Sequence, residues 1–213
     1  MRLPNPELEV AIRERTLTLL LSRDPGEIGM RDIALACGVT AATVYRYFES
    51  KEALFNAIKL DCLDEMDRRV AEGVSARRAA VPTGGTGTTP ARELLRAGLA
   101  AFRDWCLENP RLASLVMEGF DPDLNCERET MERYYRSVNL ASELVGEARA
   151  AGEARSRDPR LAVSLAIAAL WGAIEAQLRK RSYPEYWGRG TKFTDAMIDM
   201  CLGSIFLDKD GNE

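Results

Sequence analysis

The chain has 213 residues, 46% of them hydrophobic and 29% charged, with a net charge of −4. That length allows one large domain or two small ones and an ample core, while the acidic balance excludes a general nucleic-acid coat and leaves room for only a small positive face. Histidine is absent, which removes Ser-His-Asp and Cys-His nucleophile systems and histidine-ligated metal sites, so no enzyme and no cofactor is expected.

The opening residues Met-Arg-Leu-Pro-Asn-Pro carry no apolar run of the signal-peptide kind, and the expectation is a cytoplasmic protein. The first helix is predicted to begin at Asn5 as its cap, with Pro6 at the first helical position and Glu7 and Glu9 favouring that end of the dipole. Leu8, Ile12, Thr16 and Leu19 or Leu20 supply its helical spacing. Two short apolar periodicities follow. Met30, Ile33, Ala34 and Cys37 form one; Val39, Val44, Tyr47 and Phe48 form the other. Gly38 sits between them, where a residue free to take positive φ lets two helices cross steeply, and Thr40 offers a hydroxyl to cap the second. Ala34 is small where the helices must approach. The pattern predicts a helix-turn-helix with a short polar second helix placed to enter a DNA major groove.

A fourth helix is predicted from near Ser50 past Met66, with Leu54, Ile58, Cys62 and Met66 as one stripe. Residues 81–90, Val-Pro-Thr-Gly-Gly-Thr-Gly-Thr-Thr-Pro, read as a flexible connector. Leu94, Leu95, Leu99, Phe102 and Cys106 mark an amphipathic helix that stops before Pro110. Leu112, Leu115, Val116 and Phe120 mark a short one closed by Asp121-Pro122. A polar-faced helix is expected over 123–151, ending at Gly152. Asp158-Pro159 then opens a helix that is apolar on nearly all sides over 161–178, which calls for cover from a partner subunit as well as from its own core. The longest apolar run, 161–174, reads as too short to span a bilayer. A last helix over about 191–207 carries Phe193, Met197, Met200, Cys201, Ile205 and Phe206. The two final helices together could pair with their copies as a four-helix bundle. The five cysteines, Cys37, Cys62, Cys106, Cys126 and Cys201, are scattered without a Cys-x-x-Cys pair, which argues against a disulfide framework or structural zinc.

Thr40 and Thr43 lie three apart on one helix face, and the Thr43 methyl suits thymine. Tyr45 and Tyr47 can reach phosphate with their hydroxyls, although Tyr47 can equally be core. Arg46 either reads guanine, binds phosphate or is a solvated helix residue. Lys51, at the next helix start, can hold phosphate or stand as an ordinary exposed lysine.

The stretch Gly38-Val39-Thr40-Ala41-Ala42-Thr43-Val44-Tyr45-Arg46-Tyr47-Phe48, continued by Glu49-Ser50-Lys51-Glu52-Ala53-Leu54, resembles the TetR family of bacterial transcription regulators, with the likeness running from about Leu8 to Ile58. The resemblance implies an all-α fold of about nine helices. Residues 1–52 would form a three-helix helix-turn-helix head, and residues 53–213 a larger helical ligand-binding and dimerisation domain. It implies a homodimer through the last two helices, a double-stranded DNA operator and a small-molecule effector, with repression as the family default and no membrane partner. It adds Arg31, in the first helix of the motif, and Ala41 to the DNA-contacting set of Thr40, Thr43, Tyr45, Arg46, Tyr47 and Lys51. Two features depart from the family. Ala41 and Ala42 stand where relatives are often polar, and Gly29 stands where a Ser or Thr often caps the first helix of the motif. The alanines leave open a helical small-molecule-binding protein that no longer reads DNA.

For the effector, the resemblance points to the middle helices, where Phe102, Trp105, Met117, Phe120, Tyr134, Trp171 and Glu175 are the candidates, each equally readable as core. Glu175, a carboxylate inside an apolar helix, needs a partner. An effector and an arginine across the dimer are the two options.

Overall fold

The computed structural model describes residues 5–80, 90–118, 131–133, 135–179 and 190–207. Nine α-helices and one 3-10 turn are defined from end to end within them, and no strand occurs among the described residues. The chain divides into two compact units, residues 1–64 with 111–133 and residues 65–110 with 134–213. The boundary expected after residue 52 falls inside a single helix, α4 (Lys51–Ala79), which contributes residues to both units.

In the first unit, α1 (Pro6–Leu20) starts as predicted: the Asn5 side chain accepts the Glu7 N–H at 3.0 Å and Pro6 occupies the first helical position. Its buried face is Ile12, Thr16 and Leu20. The buried Thr16 hydroxyl donates to the Ile12 carbonyl at 2.8 Å, so this polar group inside an apolar face is satisfied within its own helix. A 3-10 turn (Pro25–Glu27) leads to α2 (Met30–Cys37) and α3 (Ala41–Tyr45). α1 packs on α2, and α2 on α3. Ile12, Ile28, Ile33, Val44, Leu54 and Ile58 are essentially inaccessible. Each contributes about 1.5–3 kcal/mol of burial, the main term holding so small a unit together.

The second unit contains α5 (Ala91–Glu108), α7 (Arg136–Ala150), α8 (Pro159–Leu178) and α9 (Lys192–Ile205). α5 packs on α7, α8 and α9, while α8 packs on α7 and α9. α6 (Pro110–Met117) starts at the boundary between the units. The predicted stripe Leu94, Leu95, Leu99, Phe102 and Cys106 is buried throughout. Gly73 serves close approach: a β-carbon there would lie 2.9 Å from the Ala101 β-carbon, so α4 and α5 come nearer than two alanines permit. Asp158 caps α8 by accepting the Leu161 N–H at 3.0 Å, and Pro159 follows. A short antiparallel contact ties the α7–α8 connection to the end of α9, with Arg155 N–H donating to the Ile205 carbonyl and Leu207 N–H to the Glu153 carbonyl.

Some expectations differ in extent or fall outside the described residues. The polar helix expected over 123–151 is described at 131–133 and as α7; Tyr135 (φ −98°, ψ 6°) precedes its first turn. Residues 119–130 and 134 lie outside the described residues, as does most of the connector expected over 81–90. The apolar run 161–174 is carried by a helix of 20 residues, whose most apolar 18-residue window has mean hydropathy 1.7. By length and composition alone that helix is long and apolar enough to cross a bilayer, because it extends beyond the run 161–174. A third of its most apolar window is buried, and it packs on α5, α7 and α9.

Candidate nucleic-acid interface

Gly38 ends α2 at φ +67°, ψ 28°, the left-handed conformation that closes a helix and redirects the chain. Its N–H donates to the Leu35 carbonyl at 3.1 Å, and the Val39 N–H returns to the Ala34 carbonyl at 3.0 Å. Thr40 takes extended backbone and caps α3: its Oγ1 accepts the Thr43 N–H at 3.2 Å, and the two threonine hydroxyls are hydrogen-bonded at 2.9 Å. The short helix is thus set by local bonds that its own sequence supplies.

The start of α2 is secured by a partner that sequence reasoning missed. Gly29 has no side chain to cap with, but its N–H donates to Asp32 Oδ2 at 2.8 Å, and Arg23 pairs with the same carboxylate at 3.4 Å. The Gly29 N–H, with Arg23 beside it, holds the Asp32 carboxyl below the ordinary aspartate range. An acid three residues after the cap position was the available signal.

The predicted contact residues separate by environment. Arg31, Thr40, Tyr45 and Arg46 are exposed, while Ala41, Thr43, Tyr47 and Lys51 are half-buried. Tyr45 keeps 52% of its surface. The Tyr47 hydroxyl accepts the Asn5 N–H at 2.9 Å, tying the start of α1 to the motif, and still has its own proton to give. Lys51 Nζ donates to the Pro25 carbonyl at 3.4 Å and stands 5.5 Å from the centroid of the Phe55 ring. A lysine ammonium has three protons, so two remain for an anion. Chemically this surface offers hydroxyl and ammonium donors at its margins and small apolar groups in its middle.

The effector candidates are more dispersed. Phe102 and Trp105 are buried, and the Trp105 carbonyl accepts both the backbone and side-chain N–H groups of Asn109. Trp171 and Met117 are half-buried, Met117 belonging to the first unit and the other three to the second. Phe120 and Tyr134 lie outside the described residues. Glu175, with 28% of its side chain accessible, pairs with Arg179 one turn along its own helix at 2.6 Å, a partner neither option foresaw. The second unit has an open apolar depression of about 600 Å³ between α8 and α9, with Leu161, Leu165, Ala169, Met197, Met200 and Cys201 among its lining residues. None of the described effector candidates is among its lining residues. The buried thiols are unreactive in character: burial pushes Cys62 up to about 11 and Cys106 to about 12.

Sequence reasoning also missed the ion cluster on α5. Arg103 is buried and pairs with Asp104 at 2.8 Å and with Asp195 of α9, which also accepts the Thr191 hydroxyl at 2.7 Å. Burial works against the Asp195 charge, but Thr191 and Arg103 outweigh it and hold its carboxyl below the usual range.

A glycine-turned pair of helices on an all-helical body is the build of a helix-turn-helix regulator. Residues 12–58 match the model of the bacterial regulatory proteins of the tetR family. Over those residues the chain is similar to the TetR family of regulators. It is 36% identical over 96 residues to an HTH-type transcriptional regulator of Mycobacterium tuberculosis strain H37Rv, a match covering 45% of this chain and 42% of that relative. The alignment therefore spans less than half of either protein. Among solved structures, a protein of unknown function from Rhodococcus sp. RHA1 is similar over 97% of this chain and all of its own, with TM-score 0.75 and 17% identity. A TetR family transcription regulator from Marinobacter aquaeolei VT8 is similar over 93% of this chain and 95% of its own, with TM-score 0.67 and 19% identity. SmeT, the repressor of the Stenotrophomonas maltophilia multidrug efflux pump SmeDEF, is similar over 94% and 91%, with TM-score 0.64 and 16% identity. At these identities the likeness is one of fold.

Proposed function

We propose that the chain is a homodimeric transcription repressor that binds a near-palindromic operator and leaves it when a small-molecule effector occupies the body. The observation that carries this reading is the motif itself: Gly38 at φ +67° and the Thr40 cap present a short helix that ends on Tyr45 and is followed by Tyr47 and Lys51, as a groove-reading element needs. Thr40, Ala41 and Thr43 face base edges, and Tyr45, Tyr47 and Lys51 hold phosphate. Arg31 and Arg46 take either role. Dimerisation uses α8 and α9, whose exposed Leu161, Leu165 and Met200 border the open apolar depression. Two-fold symmetry then sets the half-sites about one helical turn or slightly more apart, roughly 34–36 Å in the simplest case.

The effector is a small molecule held by middle-helix residues drawn from Phe102, Trp105, Met117, Phe120, Tyr134, Trp171 and Glu175. It must bind the released form more tightly than the DNA-bound form to act at all. The protein works in the cytoplasm, on DNA and not at a membrane. A second reading, a helical binding protein that no longer reads DNA, is favoured by Ala41 and Ala42 alone.

Titration of the purified chain against DNA from upstream of its own gene, across a salt series, tests the proposal. Saturable binding that weakens steeply with salt is expected. Thr43→Ala should change sequence preference, while Lys51→Ala should weaken all sites and flatten the salt dependence. Indifference to every duplex would favour the second reading.

A further inference from the structure

We propose that the reading helix distinguishes its operator through thymine methyl groups rather than through hydrogen bonds to base edges, an inference that rests on the DNA-binding reading above. Residues 40–45 are Thr-Ala-Ala-Thr-Val-Tyr and include no Asn, Gln, Arg, Lys, Asp or Glu, the side chains that pair with base edges in two-point fashion. Of the hydroxyls that remain, those of Thr40 and Thr43 are bonded to each other, and that of Tyr45 is assigned to phosphate. Thr40 Oγ1 accepts the Thr43 N–H, and one of the two hydroxyl protons of the pair is spent in the 2.9 Å bond between them. What the helix offers the bases is methyl surface: Ala42 is exposed, with Ala41 and Thr43 half-buried beside it.

In the major groove the C5 methyl of thymine is the apolar group on the base edges, and small apolar side chains contact it. A methyl-bearing helix gains by covering that group and gains nothing comparable from guanine or cytosine. The half-site therefore carries thymines opposite α3, and guanine reading falls to Arg31 and Arg46, which lie outside the helix.

The test selects duplexes from a random pool with the full-length chain. Thymines of the recovered half-site are then replaced one at a time by deoxyuridine, which removes only the methyl. Binding should weaken about fourfold at each of two or more positions, the fold-change equivalent to about 0.8 kcal/mol for one buried methyl-sized group. Thr43→Ser, which keeps the hydroxyl and drops the methyl, should abolish the sensitivity at one of those positions. Thr43→Val, which keeps methyl groups and drops the hydroxyl, should preserve it. The proposal is overturned if the selected duplex binds equally well with deoxyuridine at every position, or if Thr43→Ser preserves the sensitivity that Thr43→Val removes. Both of those results leave DNA binding intact. Failure to enrich any duplex would overturn the DNA-binding reading and this proposal with it.

Discussion

The helix-turn-helix and the pair α8–α9 handle exposed surface in opposite ways. In the motif, single residues decide geometry: Gly38 sets the turn, Thr40 sets the cap, and Asp32 secures the first helix. In α8 and α9 no single residue is decisive. Leu165 and Met200 expose 61% and 68% of their surface, and the apolar character comes from many such side chains together. On the proposed reading, the contrast separates a surface whose residues must be individually positioned from one that need only be large, apolar and complementary.

The greatest effect should come from spoiling the large surface. Leu165→Glu combined with Met200→Glu places charges on an exposed face and leaves the buried core of α8 and α9 intact. Sedimentation should show a dimer become a monomer with unchanged helix content. Operator affinity should fall about hundredfold or more, as two linked half-site contacts become independent. An unchanged dimer would move the interface elsewhere.

A smaller loss is expected where one residue sets position. Gly38→Ala meets nothing within 4 Å, so its cost is purely conformational. Urea unfolding should show about 1–2 kcal/mol of destabilisation, with the dimer retained and operator affinity falling by less than for the double variant. A variant as stable as the parent would mean that the turn does not depend on left-handed backbone.

The smallest effect concerns charge. The Asp32 carboxyl is held below its ordinary range in the folded chain, so the stability it contributes is complete above the unfolded value, about pH 4. It is lost as pH falls through the lower folded value. Asp32→Asn should accordingly lower the melting temperature slightly at neutral pH and leave it unchanged in acid, where both forms are uncharged. An equal shift at both pH values would mean that the charge contributes nothing.

The same contrast explains what could be read from sequence. Asn5, Gly38, Thr40 and Asp158 each satisfy a backbone need that only a few residue types can meet, so their roles were visible one residue at a time. The buried stripes of α1, α4 and α5 were visible as periodicity. Glu175 was not: an acid one turn before an arginine can pair along its own helix, and composition does not say which rotamers meet. The Arg103–Asp195 pair joins residues 92 apart, beyond any local pattern. Phe102 and Trp105 show why effector residues are hard to name, since a ligand pocket and a core draw on the same side chains.

Analytical ultracentrifugation of the purified chain with a duplex recovered from random-pool selection would decide the matter. The expected result is two chains per duplex on a two-fold symmetric sequence with half-sites about one turn apart. A single chain bound to an asymmetric sequence, or no complex at all, would contradict it.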